Sequence, residues 1–138
     1  MKSLTAIALA LALALIPTIT LAMSADEFSA HLAKHKWTGT QVPGVRTPSW
    51  QGGELDVKFV IVDGKLAGEF TRVTGATVKA EGPLSLVEVS VIKGKPTVSF
   101  RSMTGTAFQL SLEADGSLVG DALAGTSKNI VVLRPVAK

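Results

Sequence analysis

Three places in this 138-residue sequence combine residue type and position in a way that can do recognition chemistry. Arg72 and Arg134 are the first two. Both fall in step with apolar residues along segments that alternate apolar and polar side chains, so both are expected to point inward. A guanidinium in that position is costly to bury alone, so it reaches water or meets an anion. Arg72 has no carboxylate in its own phase, because Glu88, its best rival partner, points outward. It therefore snorkels out of its strand end or orients an acidic head group. The third place is the segment 43–53, PGVRTPSWQGG, which lacks periodicity and carries Arg46 and Trp50. Loops of this length are often functional, and an exposed Trp needs a ligand, a partner or a rim to stack on.

His31 and His35 stand four apart, the spacing of two metal ligands on one helix face. A third ligand is missing from their neighbourhood in the sequence, and so is the Glu of a zinc-protease motif. Helix packing or surface exposure is the favoured reading, and no metal or other cofactor is expected. Catalytic groupings are equally hard to find: there is no Gly-x-Ser-x-Gly, no phosphate-binding glycine loop and no inward pair of carboxylates. With Lys and Arg totalling 14 against 11 acidic residues, scattered and without interleaved aromatics, the charge surplus is too small for nucleic-acid binding. The absence of Cys excludes disulfides, thiolate metal sites and a Cys nucleophile.

The elements that must position these residues can be read from the pattern. Lys2, the apolar run Ala6–Ile16, the helix-breaking Pro17 and the small residues Thr20 and Ala22 make a secretory leader over residues 1–22. The run is too short, and too lightly flanked by charge, for a transmembrane anchor. An exported protein without cysteine points to a bacterial, Gram-negative periplasmic setting. Residues 23–138 then form a single domain. Ser24-Ala25-Asp26-Glu27 reads as a capping box opening a short helix over 25–35, with Phe28, Leu32 and His35 on one side.

From Lys36 the period changes to two. Strands are expected at 36–42, 54–62, 65–73, 76–80, 84–92, 96–103, 106–113, 117–124 and 129–135, separated by turn signals every 8 to 12 residues. Hydrophobic phase selects the loop lengths. A two-residue turn at Asp63-Gly64 sets Ile61 opposite Leu66, Phe59 opposite Gly68 and Val57 opposite Phe70, which puts every large apolar residue on one face. Three-residue loops at Ala114-Asp115-Gly116 and Met103-Thr104-Gly105 pair Leu112 with Leu118, Leu110 with Gly120 and Phe100 with Phe108. Lys93-Gly94 fits a two-residue turn, with Val89 facing Val98 and Val87 facing Phe100. The same inward face takes in Leu55, Val78, Val91, Ala122, Ile130 and Val132. Large residues repeatedly oppose Gly or Ala, as a small barrel requires. The expected fold is all-β: an antiparallel up-and-down meander barrel over 36–135. Whether Thr74-Gly75 turns the chain, giving nine strands, or is a bulge in one bent strand from Lys65 to Ala80, giving eight, stays open.

Asp63-Gly64-Lys65-Leu66-Ala67-Gly68-Glu69 is echoed by Asp115-Gly116-Ser117-Leu118-Val119-Gly120-Asp121, an echo that tight barrel hairpins produce by convergence. With Trp37-Thr38-Gly39-Thr40 opening the first strand and Arg134 in the last, the chain resembles the calycin superfamily of lipocalin-like and avidin-like barrels. The resemblance implies a structural clamp in which Arg134 covers Trp37, a lid formed by the connection after the first strand, and a count of eight strands, since an even number of up-and-down strands brings the chain end back beside the start of the first. The Gly that lipocalins place two residues before that Trp is His35 here, and the biotin-contacting aromatics of avidin are absent.

The functional expectation is an exported barrel that binds a small apolar or weakly anionic ligand. Phe59, Phe70, Phe100 and Phe108 would line the cavity, Arg72 would orient a head group, and Arg46 and Trp50 would close the lid. One alternative is a filled barrel that binds a protein or envelope partner through its loops. The other is a small barrel enzyme of cyclase or isomerase type.

Overall fold

The computed structural model describes residues 23–45, 53–74 and 77–137. The leader therefore lies outside the described residues, and so do Arg46 and Trp50. The first described element, α1 (Ala25–Lys34), starts as its residues require. The Ser24 hydroxyl accepts from the Glu27 amide at 3.1 Å, and the Glu27 carboxylate accepts from the Ser24 amide at 3.3 Å. Asp26 and Glu27 in the first turn and Lys34 in the last complement the helix dipole. The helix buries Phe28 and Leu32 and packs against the strands at Gly53–Val62 and Ser85–Ile92.

Nine strands follow: β1 (Lys36–Val45), β2 (Gly53–Val62), β3 (Lys65–Thr74), β4 (Thr77–Pro83), β5 (Ser85–Ile92), β6 (Lys95–Arg101), β7 (Ala107–Leu112), β8 (Leu118–Ala124) and β9 (Ser127–Val136). They form one antiparallel sheet in the order β4-β3-β2-β1-β9-β8-β7-β6-β5, nearly closed into a barrel. Lys36 at the start of β1 faces Val136 at the end of β9, so the meander returns beside its own beginning. Thr74 pairs with Thr77, so the chain turns there, and the described residues form nine strands rather than the eight that the resemblance implies.

Alternating directions around the sheet make β4 and β5 run the same way, joined through Leu84, whose amide donates to the Gly68 carbonyl at 2.8 Å. They are successive halves of one pass. The upper half pairs with β3 and the lower half with β6, and neither pairs with the other. Glu81-Gly82-Pro83, expected to separate strands, instead belongs to β4. Pro83 has no N–H to offer a ladder, and an edge strand tolerates that.

The registers follow the hydrophobic phase. Asp63 and Gly64 both have positive φ, 52° and 76°, as a type I′ turn demands. Ile61 faces Leu66, Phe59 faces Gly68 and Val57 faces Phe70. A Cβ at Gly68 would meet the Lys58 carbonyl and the Phe59 ring, which is why the bulky ring needs a glycine across the ladder. The loops at 103–105 and 114–116 give the expected Phe100–Phe108, Leu110–Gly120 and Leu112–Leu118 pairs. At Lys93-Gly94 the ladder holds from Ile92 to Glu88 and is then shifted by an irregularity, so the Val87–Phe100 pair is not part of it.

The last hairpin differs from expectation. Its loop is two residues, Gly125-Thr126, with Ala124 facing Ser127. Ala122, inward and buried, faces Asn129, so Asn129, Val131 and Leu133 turn inward and are buried. Ile130 is 45% exposed, and Val132 lies on the outer face between Thr40 and Val119. Two inward-phase residues at strand ends, Ile61 at 45% and Val91 at 61% exposure, project past the core. The side chain of Val78 lies outside the described residues.

Candidate ligand site at the far end of the barrel

The end of the barrel next to α1 is sealed. Trp37, the first inward residue of β1, is fully buried, and its indole N–H donates to the Leu32 carbonyl at 3.0 Å. His31 and His35 lie edge-on to the indole, with ring centroids 5.8 Å and 5.9 Å from it and 5.1 Å from each other. Burial, then the neighbouring His35 and Lys34, hold the His31 imidazole below its ordinary pKa. The two histidines are thus ring-packing residues, and among the described residues no group of three His, Asp or Glu side chains could hold a metal.

The clamp expected between Trp37 and Arg134 is not made. Arg134 faces Thr38 across the β1–β9 ladder, on the opposite side of the sheet from Trp37. Its guanidinium is 3.6 Å from the Asp115 carboxylate, and both side chains are exposed. Hydrogen bonds from the Ser117 hydroxyl and amide, with a smaller contribution from Arg134, hold the Asp115 carboxyl below the usual range. The phase error in β9 accounts for the misplacement, since Arg134 shares its face with Val132 rather than with Leu133.

The middle of the lumen is filled. Phe100 stacks on Phe108 with centroids 4.9 Å apart, and Phe59 meets Phe100 edge-on at 5.9 Å. Phe70 is buried in the same cluster. Phe59, Phe100 and Phe108, expected to line a cavity, are core residues packed on one another, with Leu55, Leu110 and Val98 around them. Two grooves lie on the outside of the barrel. One crosses the outward row Glu88-Ser99-Gln109-Asp121, and another runs past Lys36, Asp56 and Lys58.

The far end of the lumen differs in chemistry. Gln41 shares the inward phase of Trp37 and Gly39 and is 1% exposed, yet its Oε1 accepts no hydrogen bond. Asn129 is 5% exposed and its Oδ1 is equally unpartnered. The two are diagonal neighbours, since Gln41 faces Val131 and Pro43 faces Asn129. Arg72, half-buried and inward, faces Leu55, which in turn faces Gly39; its buried Nε–H has no acceptor. These are the three buried side-chain polar atoms without partners among the described residues. They sit around one end of the lumen, beneath the ends of β1 and β2 that the 46–52 segment joins. Such groups normally find partners, and leaving one unmade costs about 1–3 kcal/mol.

Arg72 was legible from its phase. Gln41 and Asn129 were not singled out, although Gln41 follows Trp37 and Gly39 at a spacing of two. Together the three offer one charge-assisted donor and two acceptors beside apolar surface. No family model, curated protein or solved structure matches the chain in the comparisons made with them.

Proposed function

We propose that this protein is an exported, calycin-like barrel that binds a small ligand at the end of the lumen far from α1, above a filled core. The observation that carries the reading is the trio of unpartnered buried atoms, Arg72 Nε, Gln41 Oε1 and Asn129 Oδ1, gathered around one end of the lumen. Their chemistry describes the ligand: an anionic or carbonyl oxygen for Arg72, and hydroxyl or amide hydrogens for the two side-chain oxygens. Leu55, level with Arg72, and Phe70, one inward position nearer α1, offer apolar surface for the remainder of the molecule. Because the aromatic cluster fills the lumen, the ligand is a compact one seated at that end, not a long chain threaded through the barrel. Arg46 and Trp50, in the connection between β1 and β2, are the proposed cover.

Native mass spectrometry of the protein isolated from its own cells tests this. A co-purifying small molecule that is lost in an Arg72→Met variant supports the reading. A bare chain in both, with no small carboxylate or amide retained after soaking, contradicts it.

A further inference from the structure

We infer that β5 is a dimerisation edge, and that the strand it accepts is β5 of a second copy of this chain. Among the strands whose side chains are all described, β5 is the most exposed: only Val87 and Val89 are even half-buried, while Leu86, Val91 and Ile92 are 69%, 61% and 36% exposed. One side of the strand pairs with β6; α1 and β3 also touch β5, but no ladder forms on its other side among the described residues. Unpaired apolar edges invite another chain, so folded proteins blunt them with lysine, proline or a covering segment. The opposite edge, β4, has such devices in Glu81 and Pro83. β5 has a single charge, Glu88, and neither Lys nor Pro. Leu86 is also held at a φ of 51°, a strained value for a side chain of that size, where the strand parts from the line of β4. Beyond that kink the ladder with β6 is regular from Glu88 to Ile92, so the stretch that lacks a second ladder is straight.

The residues of β5 say which occupant fits. Read about Val89, the strand is self-complementary: Val87 would face Val91 of the second copy, Val89 would face its own counterpart, and Glu88 would face Ser90. A two-fold axis at Val89 thus continues the inward apolar face across both copies and leaves no like charges opposite one another. Shifting the axis by one residue either way fails. Centred on Glu88 it sets two carboxylates face to face, and centred on Ser90 it sets Val87 against Lys93. A one-residue slip changes every pairing, so the register is well determined.

The chain has no Cys, which makes a cysteine scan along β5 a direct test. Single substitutions at positions 87 to 91 are oxidised with a mild disulfide catalyst, and the disulfide-linked dimer is measured on a non-reducing gel. The expected result is a peak of cross-linking at Val89→Cys, with the flanking positions several-fold lower, and recovery in a combined Val87→Cys, Val91→Cys variant. Sedimentation equilibrium on the unmodified protein should give a dimer, and Val91→Lys should halve the sedimenting mass while leaving the circular dichroism spectrum unchanged. Flat or absent cross-linking along the scan, a peak away from Val89, or a monomer at all concentrations would each overturn the inference.

Discussion

The indole N–H of Trp37 donates to the carbonyl of Leu32, and this bond ties the last turn of α1 to the second residue of β1 in the barrel wall. Leu32 belongs to the end of the helix, where carbonyls lack intrahelical donors, so the tryptophan caps the helix while plugging the barrel. Trp37→Phe should therefore cost about 1–3 kcal/mol for the orphaned carbonyl alone, read from urea unfolding. Arg134→Ala, in contrast, should change stability by less than about 0.5 kcal/mol, because its ion pair with Asp115 is exposed. The opposite ranking would restore Arg134 as the cover of Trp37.

The ring packing around Trp37 also makes the sealed end sensitive to acid. His31 titrates below its ordinary value of 6.5 in the folded chain, so near and below that pH the unfolded chain binds more protons. Stability contributed by the neutral imidazole is thus present above pH 6.5 and is lost as the pH falls toward the folded value. The melting temperature should drop on acidification through this window, and His31→Gln should flatten the drop. An unchanged slope in His31→Gln would show that His31 does not couple to folding.

Burial along β9 can be read one residue at a time. Leu133→Ala should cost about 2–5 kcal/mol and Phe70→Ala about 3–5 kcal/mol, as truncations in a packed core. Ile130→Ala, on a side chain 45% exposed, should cost less than about 1 kcal/mol. Equal costs at positions 130 and 133 would contradict the register with Asn129 facing Ala122.

Most of the barrel is legible in the amino-acid pattern because its turns are chemically explicit. Asp63-Gly64 and Lys93-Gly94 need positive φ at both central positions, and each such turn sets the phase of the strands beside it. β9 was misread because Ile130-Val131-Val132-Leu133 is apolar without a break, so alternation could not choose between its two faces. The choice was available from Ala122: an even-numbered loop at Gly125 makes Asn129, Val131 and Leu133 the inward set. The site was legible only where a charge stood out. Arg72 drew attention by being costly to bury, whereas Gln41 and Asn129 are neutral and common, and only their lack of partners marks them. The role of α1 as a tether was hidden for a different reason. A Trp side chain bonding five residues back depends on the angle between helix and strand, which local propensity does not specify.

Unpartnered polar atoms kept for a ligand carry a stability cost that substitution should reveal. Gln41→Met preserves much of the side-chain volume and removes an unsatisfied acceptor, so it should raise stability by about 0.5–2 kcal/mol. A clear loss of stability instead would mean that Gln41 serves the fold and not a ligand.

The central claim, that Arg72, Gln41 and Asn129 act together on one small molecule, is tested most directly by NMR. The Arg72 Nε–H and the side-chain amides of Gln41 and Asn129 would be followed while lactate and benzoate are titrated in. The account predicts that the three sets of resonances move together and saturate for at least one of these carboxylates, and that Arg72→Met abolishes the response. Resonances that stay still, or that move without saturating and are indifferent to Arg72→Met, would contradict it.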